Sequence, residues 1–165
     1  MRRTFHLIYF CLAFLTFAQV LADDVSDTTK AEEIESMLTI KYASIPVDDQ
    51  DKALEFYTNT LGFIKKSDIP YGAYRWLTVV SANDPDGAEL ALEPNDNPAV
   101  KTFQKSIFDQ GIPATAFVVK DIELSYSKLL ELGVKFNSAP KKVGTSTVAV
   151  FHDTCGNLIM IAQED

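Results

Sequence analysis

A strand–helix–strand–strand–strand order occurs twice along this chain, and that repeat limits the available folds more than any other feature. Met37 to Ile45 is β-rich and leads through Pro46-Val47 into Asp48-Asp49, a helix N-cap. Ala53, Leu54, Tyr57 and Leu61 recur at helical spacing, and Gly62 supplies the stop. Phe63 to Ile69, Arg75 to Ser81 and Glu89 to Glu93 read as three strands, with Pro70-Tyr71-Gly72 and Asn83 to Gly87 as turns. Ala114 to Val119 then opens a second copy. A helix begins at Lys120-Asp121, carries Ile122, Tyr126, Leu129 and Leu130 as its apolar stripe, and stops at Gly133. Val134 to Phe136, Ser146 to Phe151 and Leu158 to Ile161 follow as strands. Val47 and Val119 hold equivalent places, 72 positions apart.

One copy alone would leave a sheet face and a helix stripe in water, so the copies must pair. The expected fold is α+β, with two βαβββ modules forming one curved mixed sheet and the helices outside. Module one covers residues 37–93, a linker with a short helical stretch covers 94–113, and module two covers 114–165. Polar residues on the concave face are then informative.

The first 22 residues have a different use. Met1-Arg2-Arg3 is basic, Phe5 to Ala18 is mostly apolar, and Val20-Leu21-Ala22 ends the segment with small or aliphatic residues before Asp23-Asp24. That order is a secretory signal peptide cleaved after Ala22, and the apolar run is short for a membrane span. The expected location is secreted or periplasmic, with no stable membrane anchor after cleavage. Residues 23–36 are polar and acidic, a mobile leader. Losing Arg2 and Arg3 takes the formal charge from -8 to -10, which argues against nucleic acid as a partner. His152 and Cys155 are the sole histidine and cysteine beyond the leader, so neither a multi-His metal site nor an internal disulfide can be built.

The segments Val47 to Tyr57, Leu61-Gly62-Phe63, Gly111-Ile112-Pro113 and Asp153-Thr154-Cys155-Gly156-Asn157-Leu158, with the repeated order, resemble the vicinal oxygen chelate (VOC) superfamily of glyoxalase I, bleomycin-resistance proteins and extradiol dioxygenases. The resemblance implies four metal-ligand positions on the concave face, falling on Tyr42, Glu93, Ala114 and Met160. Only Glu93 is an ordinary ligand there: alanine cannot coordinate, a thioether suits soft ions, and a neutral phenol serves Zn, Ni or Mn poorly. No cofactor is therefore expected. A divalent metal, if one binds, has Glu93 alone of the four.

Period-2 alternation puts Glu89, Ala91 and Glu93 on one face and Leu90 and Leu92 on the other. Glu93 then points into the cup as a general base or hydrogen-bond anchor, unless it is a solvated strand-end carboxylate. Tyr42 and Ser44 share that face, and Tyr42 is either an aromatic wall or a core aromatic. Trp76 offers stacking or packing. Arg75 can neutralise an anion, pair with Glu89, or sit in solvent. Ala114, Ala116 and Met160 make the other half of the cup small and apolar. His152 reads as a satisfied surface residue at a turn, and Cys155 as a turn residue whose thiol, if exposed, could link two chains.

These readings support a secreted, metal-independent protein that binds a small, partly apolar molecule with Tyr42, Ser44, Trp76, Glu93, Ala114 and Met160. A metal-dependent glyoxalase- or dioxygenase-like enzyme using Glu93 and a relocated ligand, His152, is one alternative. An acidic protein-interaction module is another. The resemblance also implies a homodimer.

Overall fold

The computed structural model describes residues 37–165, so the expected signal peptide and leader lie outside the described residues. In module one, β1 (Tyr42–Val47) leads into α1 (Gln50–Glu55). Asp49 caps that helix, its Oδ1 accepting from the Asp51 and Lys52 amides at 2.9 and 3.0 Å. The helix widens into a π-helical turn over Phe56–Thr60. It closes in an αL cap: Gly62, at φ 76°, donates its N–H to the Thr58 carbonyl, and Phe63 N–H reaches the Tyr57 carbonyl. The three strands β2 (Ile64–Tyr71), β3 (Tyr74–Val80) and β4 (Glu89–Pro94) complete the module.

The linker carries α2 (Pro98–Asp109), capped by Asn97 and opened by Pro98. Module two then runs through β5 (Thr115–Val118), α3 (Ile122–Glu131), β6 (Lys141–Val143), β7 (Ser146–His152) and β8 (Leu158–Glu164). Asp121 caps α3 by accepting from the Leu124 amide at 2.9 Å. Hydrogen bonding divides the eight strands into two four-stranded mixed sheets, in the orders β1-β4-β3-β2 and β5-β8-β7-β6. In each sheet the strand before the helix pairs in parallel with the last strand of its own module. Both modules thus close their ladders by one rule.

Three stretches depart from the sequence reading. The first strand, expected from Met37, begins at Tyr42, because its ladder partner β4 starts opposite that residue at Glu89. Pro70 and Tyr71 belong to β2, and the turn is the Gly72-Ala73 pair. Because β2 is an edge strand, Pro70 needs no N–H for a further ladder. Val134 to Phe136 makes one bridge, Phe136 to Phe151, while the edge strand is formed by Lys141–Val143.

The helix-facing sides of both sheets share one core. Ile45, Val47, Leu77, Val79, Leu90 and Leu92 from module one join Ala149, Phe151, Ile159 and Ile161 from module two. Phe56 of the π turn lies 6.4 Å from Phe151, and Phe63 lies 5.0 Å from Phe117, ring centre to ring centre. The expected assignment of Leu90 and Leu92 to the helix side therefore holds. Ala91 and Glu89, on the opposite face, are buried as well.

A polar network pins the modules together. Buried Asp153 accepts through Oδ1 from the Cys155 and Asn157 amides and through Oδ2 from the Asn157 carboxamide and the Tyr57 hydroxyl. The first three bonds close the β7–β8 turn; the fourth comes from the other module. Gln104 of α2 joins in, donating to the Pro46 and Cys155 carbonyls and to Asn157 Oδ1, and accepting from Asn95. Such a network is favourable because every buried polar atom finds a partner. Among the described residues no helix is long and apolar enough to cross a membrane.

Candidate functional site

The β3–β4 ladder stops early, and a pocket opens where it stops. Paired residues run from Val80/Glu89 to Thr78/Ala91. Continued in register, the next pairs would be Leu77 with Leu92 and Trp76 with Glu93, and these are not formed. The amide of Gln50 on α1 instead donates to the carbonyls of Arg75 and Leu92, at 2.9 and 2.8 Å. Two backbone groups that leave the ladder are satisfied without closing the gap. The space beside it is a pocket of about 660 Å³. Tyr71 and Tyr74 of the β2–β3 hairpin, Arg75, Trp76, Glu93, Pro94, Asp96 and Asn97 line it.

The walls are aromatic because the hairpin turn is tight. Tyr71 and Tyr74 pair across Gly72-Ala73, and Trp76 pairs with Ile69 two steps further along. Gly72 has φ 60°, a left-handed conformation that favours glycine. Tyr42 on β1 is neither a core aromatic nor part of the lining: it is more than half exposed and packs edge to face against Trp76 at 5.4 Å. Hydrogen bonding to Asp96, reinforced by the charge of that carboxylate, raises the Tyr74 phenol above the usual tyrosine range.

The charges are unequal in freedom. Glu93 is half-buried and has no hydrogen-bond or ion-pair partner among the described residues. Arg75 is engaged: Nη2 donates to Asp51 at 2.5 Å, and Nε lies 3.5 Å from Asp68. The expected Arg75–Glu89 pair is therefore not formed. Glu89, only 5% exposed, accepts from the Thr78 hydroxyl at 2.7 Å and lies 3.4 Å from Lys41 Nζ. Asp51 of the first turn of α1 and Asp68 of β2 take the guanidinium instead, while Glu89 lies five positions along the ladder, opposite Val80.

The sequence-derived site residues divide into two groups. Trp76 and Glu93 line the pocket together, and Tyr42 touches Trp76. Ser44 is exposed and stands opposite Ala91 in the β1–β4 ladder, one step from Glu93. Ala114 and Met160 belong to the second sheet and its approach, and neither lines this pocket. Tyr71, Tyr74 and Asp96 were not anticipated. Their signal was two tyrosines flanking a glycine turn in a chain with one tryptophan nearby.

The remaining candidates lie elsewhere. The ring of His152 contacts Asn137 Oδ1 at 2.8 Å and meets Phe108 edge to face at 5.4 Å. It lines a separate cavity of about 480 Å³ with Lys52, Phe56 and Thr154, away from Glu93. Cys155 is fully buried, and burial, with the nearby charge of Asp153, pushes its thiol up to about 12. An exposed thiol linking two chains is thus excluded. Burial also raises the carboxyl of Asp153, against the hydrogen bonds it accepts from Asn157, Cys155 and Tyr57.

The donors suit a divalent cation poorly. The four positions carry a phenol, one carboxylate, a methyl group and a thioether. Among the described residues no three His, Cys, Asp or Glu side chains converge.

The profile of the Glyoxalase/Bleomycin resistance protein/Dioxygenase superfamily matches residues 39–161. The chain belongs to that superfamily. YurT of Bacillus subtilis (strain 168) is 58% identical over 127 residues, which are 77% of this chain and 100% of YurT. Among solved structures, UcmS2 is 32% identical with a TM-score of 0.66, over 76% of this chain and 97% of its own. TnmS3 from Streptomyces sp. CB03234, described as an antibiotic binding protein, is 26% identical with a TM-score of 0.61, over 78% and 98%. This superfamily member therefore carries the two-module fold its repeat implies, with an aromatic pocket on module one.

Proposed function

We propose that this superfamily member is a binding protein that takes a small, partly apolar molecule into the module-one pocket without a resident metal. The pocket itself carries the reading. A space of about 660 Å³ lies in the range of small-molecule sites. Three of its lining residues are aromatic, and Arg75, Glu93, Asp96 and Asn97 supply its polar groups. Glu93 is the anchor, with Trp76 and Tyr74 as the flat surfaces and Tyr42 supporting Trp76. The described role of TnmS3 as an antibiotic binding protein supports the same class of activity. Metal independence is supported by donor chemistry at Tyr42, Ala114 and Met160, which offers a divalent ion little. Export through residues 1–22 and assembly as a homodimer belong to this reading.

The tests are direct. Native mass spectrometry of protein purified without exogenous ligand is expected to show a co-purified small molecule or an empty chain that binds aromatic compounds with a change in Trp76 emission. One tightly held transition metal per chain by elemental analysis would overturn the metal-free reading. A secreted product beginning at Asp23 and a two-chain mass in sedimentation are the outcomes expected for export and dimerisation. A cell-retained product starting at Met1, or a single-chain mass, would refute each in turn.

A further inference from the structure

We infer that the ligand of this pocket is an organic cation, with a positively charged nitrogen held between the Glu93 carboxylate and the rings of Tyr71, Tyr74 and Trp76. This rests on the small-molecule reading above and adds to it the sign of the ligand's charge. Three aromatic residues line the pocket together, and aromatic rings attract a cation placed over their faces. The two carboxylates of the lining, Glu93 and Asp96, add charge of the same sign. Glu93 has no partner among the described residues. Asp96 has Lys101 at 3.6 Å, but both side chains are more than half exposed, and such a pair neutralises little.

Arg75, the one basic residue of the lining, does not reverse this balance. Asp51 and Asp68 hold its guanidinium, and its Nε is enclosed with no hydrogen-bond partner, so that atom is not offered to a ligand. Lys65 reaches Asp68 at 3.1 Å and leaves that cluster close to balance, without a free positive charge toward the pocket. An anionic ligand would have to approach two carboxylates while the charge of Arg75 is already paired with Asp51 and Asp68. A neutral ligand would leave Glu93 half-buried and unpaired. A cation resolves both problems and uses the rings as well.

The experiment compares three probes that share a benzyl or phenyl body: benzyltrimethylammonium, benzyl alcohol and benzoate. Binding to the full chain is read by calorimetry and by emission of Trp76, the only tryptophan. Benzyltrimethylammonium is expected to bind on the order of tenfold more tightly than benzyl alcohol, with benzoate weakest. Glu93→Gln, isosteric and uncharged, is expected to remove most of that preference with the circular dichroism spectrum unchanged. Asp96→Asn provides a second, more exposed change, with a smaller loss in the same direction. If benzyl alcohol or benzoate binds as well as the cation, or if the preference survives Glu93→Gln and Asp96→Asn, the charge assignment is overturned and small-molecule binding stands. If none of the three probes moves Trp76 emission or releases heat, both readings fall.

Discussion

Tyr57→Phe removes one oxygen from the buried junction between the modules and leaves the ring in place. Tyr57 is fully buried, and its hydroxyl donates to Asp153 Oδ2 at 3.2 Å. That carboxylate keeps its bonds from the Cys155 amide and from the amide and carboxamide of Asn157, so it is weakened rather than orphaned. A hydrogen bond to a charged acceptor contributes about 1.5–3 kcal/mol, and the long distance places this one near the lower end. The expected loss at pH 7.5 is therefore about 1–2 kcal/mol. The pH dependence tests the cause. Burial raises the Asp153 carboxyl above its ordinary 3.8, so the native state holds the proton more tightly than the unfolded chain. The stability linked to that proton is full below 3.8 and is lost as pH rises through the raised folded value. Tyr57 is one of the groups that lower this pKa, so its removal lifts the value further and enlarges the loss at high pH. Urea denaturation of both proteins at pH 3.5 and pH 7.5 should give a larger difference at pH 7.5. An equal difference at the two values, or none at pH 7.5, would refute the Tyr57–Asp153 linkage.

Three further outcomes follow from the same junction. Gln104→Ala strips four hydrogen bonds from a buried site and leaves the Cys155 carbonyl without this donor, so denaturant titration should show a loss of roughly 1–3 kcal/mol. Gly156→Ala places a side chain at φ 93° with its Cβ 3.1 Å from Gln104 Nε2, and a thermal melt should fall by the equivalent of about 1–2 kcal/mol. Cys155 should resist a thiol reagent at pH 8 in the folded protein and react at once in denaturant, because burial suppresses its thiolate.

What the sequence displays well is what local spacing controls. The two N-caps at Asp49 and Asp121, the glycine stops at Gly62 and Gly133, and the alternation of Leu90 and Leu92 against Glu89 and Ala91 all depend on neighbours a few residues away. Their counterparts in the structure follow the same local rules. What the sequence hides depends on partners distant along the chain. Arg75 has Glu89 within reach on paper, but Asp51 and Asp68 arrive from α1 and β2 and take its charge. Cys155 looks like an exposed turn residue until Gln104 folds over its carbonyl. Pro70 looks like a turn residue until β2 is known to be an edge.

The pocket shows the limit most clearly, since it exists because a ladder ends. Trp76 and Glu93 stand where the second register pair beyond the ladder's end would be, and alternation correctly places Glu93 off the core side, but no pattern marks where pairing must cease. At that point Gln50, in the first turn of α1, donates its carboxamide N–H groups to the carbonyls of Arg75 and Leu92, a partner supplied from outside the sheet. The same divergence explains why Ala114 and Met160 do not join the site. The cup expected from the repeat would use both modules equally, whereas the gap in β3–β4 is local to one. Equivalent modules can share a fold rule and still differ in function, because the rule governs pairing and the site arises where pairing stops.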